Sequence, residues 1–163
     1  MKKFDIEEVR EFIANSSETS KIYIGADSEC YRGKNKEWMA DYTVAIVIHR
    51  DGNKGAKVFG NVSTERIFDK RKDRPALRLM NEVIRAAQMY LDLEEAIGDR
   101  HFEVHLDINP DVMHGSSCVV NEAIGYIRGM CNVIPMVKPS AFAASYCADR
   151  LKEILHNQRL AAA

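Results

Sequence analysis

The chain has 163 residues, 46% hydrophobic and 29% charged, with 23 Lys and Arg against 24 Asp and Glu. That length fits one domain, read as residues 1–160, and suffices for a proper core. A net charge of −1 supplies no basic field for tight nucleic-acid binding, though transient contact through a local basic patch stays open, as does the oligomeric state.

No apolar run approaches membrane-spanning length, and the opening MKKFDIEEVR turns acidic too early for a secretory signal. Cys30, Cys118, Cys131 and Cys147 are widely spaced without a C-x-x-C pair. That spacing argues against a zinc knuckle or a disulfide framework, and for reduced, mostly buried thiols in a cytoplasmic protein.

From about Asp5 to Ala14 the pattern predicts a short amphipathic helix, an N-terminal addition to the domain. Asp5 caps it with Glu8 three places on, and Ile6, Val9 and Phe12 or Ile13 share a face. Lys21 to Glu29, KIYIGADSE, then reads as an apolar strand delivering Asp27 at its end, with Gly25 admitting a close neighbour to its backbone. An isolated Asp there is most simply a turn residue. A polar loop, Glu29 to Glu37, leads to a second strand, Trp38 to His49. The turn Asp51-Gly52-Asn53 returns it as a third, Ala56 to Val62.

Ser63 to Arg74 is a connection with a basic run (Lys70, Arg71, Lys72, Arg74), followed by a helix from Pro75 to about Leu93. Leu77, Met80, Ile84, Ala87 and Leu91 form its predicted apolar stripe, which puts Glu82 on the neighbouring face with Leu79 and Ala86. His101 to Ile108 alternates as a fourth strand, with Phe102, Val104, Leu106 and Ile108 on one side and His101, Glu103, His105 and Asp107 on the other. Two histidines four apart on a strand do not meet as zinc ligands. Gly115-Ser116-Ser117 opens a helix to about Arg128, closed by Gly129. Cys131 to Val137 reads as a fifth strand, at the edge because of Pro135. A final helix follows Lys138-Pro139-Ser140, with Ala141, Ala143, Ala144 and Ala148 for close packing and Ser145 and Asp149 four apart on one face.

These elements predict an α/β fold with a mixed five-stranded sheet, order 3-2-1-4-5, and helices on its faces. With the first and fourth strands parallel neighbours, Asp27 and Asp107 end side by side. Glu82 reaches them from the helix beneath and Asp149 from the last helix. Such a group of carboxylates stays ionised only with cations present. Oxygen-only donors select Mg²⁺ or Mn²⁺, and two such ions suit the hydrolysis of a phosphodiester.

The order strand-Asp, helix-Glu, strand-Asp, helix-Asp resembles the ribonuclease H-like superfamily. More narrowly, G-A-D-S (Gly25 to Ser28), Asn81-Glu82, H-L-D-I-N (His105 to Asn109), Ser116-Ser117, and K-P-S-A-F-A-A-S with A-D (Lys138 to Asp149) resemble the YkuK-like proteins of bacteria and phages. The resemblance spans roughly residues 20 to 150. It implies the ribonuclease H-like fold and Asp27, Glu82, Asp107 and Asp149 as metal ligands and catalytic residues. The expected function is a metal-dependent nuclease acting on RNA, an RNA–DNA hybrid or structured DNA. Ser28, Asn109, Ser116 and Ser117 would then orient a phosphate, and Lys138 would touch the substrate backbone. The chain departs from some ribonucleases H in having no basic, aromatic protrusion for handling hybrids. The competing expectation is a catalytically silent module of the same fold that binds nucleic acid or a protein partner.

Overall fold

Strand β1 (Lys21–Arg32) runs through the middle of a mixed sheet in which it pairs on one side with antiparallel β2 (Trp38–His49) and on the other with parallel β4 (Phe102–Leu106). Strand β3 (Ala56–Arg66) closes the far edge beside β2, giving the order β3-β2-β1-β4. The computed structural model describes residues 4–68 and 75–161; the basic run Lys70 to Arg74 lies outside them. Helices α1 (Ile6–Ala14), α2 (Ala76–Ile97) and α3 (Val120–Cys131) form one layer, and α4 (Asp149–Ala161) with the π-helical turn before it, Ala143–Ala148, forms the other.

Alternation along the strands explains the two layers. Ile22, Ile24 and Ala26 of β1, Val44, Ile46 and Ile48 of β2, and Val104 and Leu106 of β4 all sink into one core against Leu79, Val83, Ala86, Tyr90 and Leu93 of α2. Each such aliphatic side chain taken out of water contributes about 1.5–3 kcal/mol. On the opposite face a row of small residues crosses the sheet, because Gly25 pairs with Ala45 and Ala45 with Gly60. The π-helical turn and α4 lie in that trough. A Cβ on Gly25 would stand 2.3 Å from the carbonyl carbon of Ala143, and one on Gly60 would stand 2.5 Å from Leu151 Cδ1. The expectation of a close neighbour at Gly25 is met, and that neighbour is the final helical segment, whose Ala141, Ala143, Ala144 and Ala148 are fully buried.

The next residue in this row, His105 of β4, also pairs with Gly25 and is buried. Its Nδ1 accepts a hydrogen bond from the Ala143 N–H at 3.1 Å, which fixes the neutral tautomer with the proton on Nε2, 2.9 Å from Glu103 Oε2. His101 holds the other Glu103 oxygen at 2.8 Å. The two histidines therefore clasp one glutamate. Burial lowers the His105 pKa, with Glu103 opposing, so the imidazole stays neutral where the π-helical turn needs an acceptor.

Several expectations are corrected. The fifth strand reduces to a single parallel bridge, His105 to Met136. Helix α3 does not stop at Gly129 but runs on to Cys131, with Asn132 in the left-handed conformation (φ 54°) as its terminator. That leaves too few residues before Pro135, which has no N–H to extend a ladder. The polar loop after Asp27 shrinks to 33–37, since β1 continues to Arg32 and β3 to Arg66. The apolar stripe of α2 is met in part and rotated: Ala87 is buried and Met80 and Leu91 pack against the core, but Leu77 and Ile84 are exposed while Leu79, Glu82, Val83 and Ala86 are buried. Finally, Cys30 and Cys118 are exposed and only Cys131 is fully buried, although no disulfide forms among the described residues.

Candidate functional site

Where the parallel strands end, one residue beyond the paired Ala26 and Leu106, Asp27 and Asp107 emerge on the same side of the sheet. Both leave the strands opposite the main core, on the face carrying Gly25 and His105. Ser28 alternates to the other face and meets α2, where Glu82 sits with only 3% of its surface exposed. Rotation of the α2 stripe puts Glu82 under the sheet end instead of beside the buried face.

The surroundings of Glu82 are specific. Ser28 Oγ donates to Glu82 Oε1, and the same hydroxyl accepts from Arg78, whose Nη1 is also 3.1 Å from the Ser28 carbonyl and 3.3 Å from Glu82 Oε1. Arg78 lies one helical turn before Glu82, a spacing visible in the sequence. Even so, burial pushes the Glu82 carboxyl up to about 8, and the charges of Asp27 and Asp107 add to the rise against Ser28 and Arg78. Burial likewise raises the Asp27 pKa, with Lys152 lowering it and Asp107 raising it. Asp27, Glu82 and Asp107 thus share one electrostatic site built from three elements.

Cations reach this site from the second layer. Lys152 Nζ lies 3.0 Å from Asp27 Oδ2, 2.9 Å from Asp149 Oδ1 and 3.9 Å from Glu29 Oε2. Burial works against its charge, yet the bonds to Asp149 and Asp27 outweigh that and hold the ammonium above its ordinary range. Lys138 Nζ pairs with Asp107 Oδ1 at 3.0 Å, and Ser145 Oγ donates to the same oxygen at 2.8 Å. Asp149 is half exposed and joins the group through Lys152. Beside Asp27, the paired Thr43 of β2 is fully buried, its hydroxyl without a partner.

The expected phosphate-orienting residues divide. Asn109 and Lys138 line an open cleft of about 340 Å³ with Pro139, Ser145 and Tyr146, next to Asp107. Ser28 is turned inwards to Glu82 and positions that carboxylate. Ser116 and Ser117 do not open an α-helix; they lie in a 3-10 turn, Gly115–Val119. Ser116 Oγ accepts from the Asn109 N–H at 3.0 Å, and the Ser117 N–H closes the turn on the His114 carbonyl at 3.1 Å. They shape the loop after β4.

Residue-by-residue reading missed the roles of Arg78 and Lys152. Ser145, Asp149 and Lys152 recur at helical spacing, and that recurrence was the available signal.

The donor set bears on a metal in two ways. Among the described residues no three Asp, Glu, His or Cys side chains stand as a ready coordination shell; the carboxylates are held as ion pairs. Their chemistry nevertheless fits a hard divalent cation, since every donor is oxygen, and the Lys152 ammonium stands in as a tethered cation between Asp27 and Asp149.

Comparison with known proteins gives one result for the whole chain: a family model described as ribonuclease H-like matches residues 5–153. No curated protein and no solved structure matches. Among the described residues no helix is long and apolar enough to cross a membrane.

Proposed function

The chain belongs to the ribonuclease H-like family, and on that premise we propose that it is a divalent-metal-dependent nuclease of the cytoplasm. It would hydrolyse phosphodiester bonds in RNA, an RNA–DNA hybrid or structured DNA. One observation carries the reading: Asp27 of β1 and Asp107 beyond β4 both raise the proton affinity of the buried Glu82 of α2, and Asp107 raises that of Asp27. A buried arrangement of that kind costs stability unless it serves a cation.

Asp27, Glu82 and Asp107 would hold Mg²⁺ or Mn²⁺, with Asp149 at the rim. Bound there, the ions would supply activation of a water and neutralisation of the leaving oxygen. Ser28 and Arg78 fix the Glu82 carboxylate by bonding one of its oxygens, leaving the other for a ligand. Ser145 orients Asp107 from the π-helical turn. Lys152 pairs with both Asp27 and Asp149, so it would yield the Asp27 oxygen to a bound ion and keep its pairing with Asp149. Lys138, 40% exposed, leaves Asp107 for a substrate phosphate as that carboxylate is taken up. Asn109 lines the same cleft beside Lys138.

A second reading rests on the same cations. Lys152, Lys138 and Arg78 already pair with Asp27, Asp107 and Glu82, the arrangement of a silent module that binds nucleic acid or a protein without cutting. Labelled single-stranded, duplex, hybrid and junction substrates incubated with Mn²⁺ separate the two. The nuclease reading expects cleavage by the wild type, none in chelator and none by Asp107→Asn. Binding without cleavage of any substrate supports the silent module and refutes the nuclease.

A further inference from the structure

The cleft beside Asp107 has a chemistry that phosphate binding alone does not use. It is lined by Asn109, Lys138, Pro139, Ser145 and Tyr146, around about 340 Å³. Two of these, Lys138 and Ser145, also bond Asp107, so the cleft opens directly onto the carboxylate site. Tyr146 is 71% exposed, an unusual position for a large ring that is outside the core and in no ring pair among the described residues. The π-helical turn accounts for its placement. Ala143, Ala144 and Ala148 press onto the sheet, Ser145 turns to Asp107, and Tyr146 is left to face outwards beside it. Asn109 Oδ1 accepts from the Asp111 N–H at 3.0 Å. The amide NH₂ of Asn109 has no acceptor among the described residues.

We propose that this cleft receives an unpaired nucleobase, stacked on Tyr146 against Pro139 and held at its edge by Asn109, while Lys138 takes the adjoining phosphate. Each group matches one part of a nucleotide: an aromatic face for the base, amide donors for the carbonyl or ring-nitrogen acceptors along its edge, and an ammonium for the phosphate. Within a continuous duplex both faces of every base are covered by neighbours, leaving Tyr146 nothing to stack on. The cleft therefore selects single-stranded segments, frayed ends or extruded bases. This rests on the nucleic-acid reading above and narrows its substrate to a strand that presents a free base next to Asp107.

The test is fluorescence anisotropy with a labelled 12-nucleotide single strand and the blunt duplex of the same sequence, in low salt with chelator so that no cleavage occurs. Wild type is expected to bind the single strand more tightly than the duplex. Tyr146→Ala should weaken single-strand binding roughly tenfold or more, the loss of one base–aromatic stack. Tyr146→Phe should stay within about twofold of wild type, because stacking uses the ring and not the hydroxyl. Thermal melts of both variants should match wild type, since the ring is solvent-exposed. If wild type binds single strands and Tyr146→Ala binds them equally well, the base cleft is wrong while the nucleic-acid reading stands. Preference for the duplex likewise overturns the base cleft alone. If neither oligonucleotide binds, both fall together.

Discussion

Replacing Glu82 by Gln should stabilise the metal-free protein at neutral pH, although it alters a buried, hydrogen-bonded side chain. Burial, with Asp27 and Asp107 close by, pushes the Glu82 carboxyl up to about 8 in the folded state. In the unfolded chain it titrates at the ordinary 4.5. The folded state therefore holds a proton that the unfolded state releases between those two values. Where the folded state binds more protons, stability falls as pH rises. The contribution of Glu82 is complete below about pH 4.5, declines through the neutral range and levels off above about pH 8. At pH 7 the decline amounts to about 3 kcal/mol, from about 1.4 kcal/mol per pH unit over the 2.5 units above the unfolded value. Glutamine keeps the Oε1 acceptor used by Ser28 and Arg78 and cannot ionise, so Glu82→Gln removes that slope. Urea denaturation in chelator from pH 5 to pH 9 measures it. Wild type should lose stability across the range and the variant should lose about 3 kcal/mol less by pH 7. Parallel profiles, or a variant less stable at every pH, would refute the reasoning, for Glu82 would then be an ordinary ion-pair partner of Arg78.

Three further expectations follow from the packing and the ion pairs. Gly25→Ala places a methyl 2.3 Å from the Ala143 carbonyl carbon and 2.4 Å from the Ala144 nitrogen, against backbone that cannot step aside. It should cost at least about 1–3 kcal/mol in a denaturant titration and loosen Ser145 and Lys152 from their carboxylates. His105→Leu leaves the buried Ala143 N–H without its acceptor and should cost about 1–3 kcal/mol, measured by chemical unfolding; an unchanged midpoint would mean the imidazole anchors nothing. Lys152→Met removes the ammonium between Asp27 and Asp149. Calorimetry should then show tighter Mn²⁺ binding, on the order of tenfold, the size of an ordinary coupling between neighbouring sites, alongside a lower melting temperature in chelator.

Much of the site was legible because its signals are local. A strand of Ile and Tyr running through Gly25 into Asp27, and an alternating strand running into Asp107, mark both carboxylates directly, although β1 runs on past Asp27 to Arg32. Their parallel pairing places the two carboxylates together. Helix α2 was read one face out of phase because it carries two apolar stripes. The exposed stripe contains Leu77 and Ile84, whereas the buried one includes a carboxylate, and a buried Glu weakens the very periodicity that would reveal it. The edge strand was over-read for another reason. Residues 131 to 137 have strand-like side chains, but α3 takes Cys131 and Pro135 removes a donor, leaving one bridge. The serines before α3 read as the opening of a helix; Ser116 instead accepts from the Asn109 N–H, a contact across seven residues of loop that no period encodes. Lys152 was in view at helical spacing from Asp149, yet its pairing with Asp27 spans 125 residues and depends on how α4 crosses the trough of Gly25, Ala45 and Gly60.

The central claim, that Asp27, Glu82 and Asp107 form a divalent-cation site, is tested most directly by titrating Mn²⁺ into the apo protein in a calorimeter, with Asp27→Asn run in parallel. Wild type should bind the ion. The variant should lose binding while its melting temperature in chelator stays the same or rises, because a like charge has been removed from a crowded site. Contradiction would be an absence of wild-type heat together with a lower melting temperature for Asp27→Asn, the behaviour of an aspartate held only by Lys152 and its own strand.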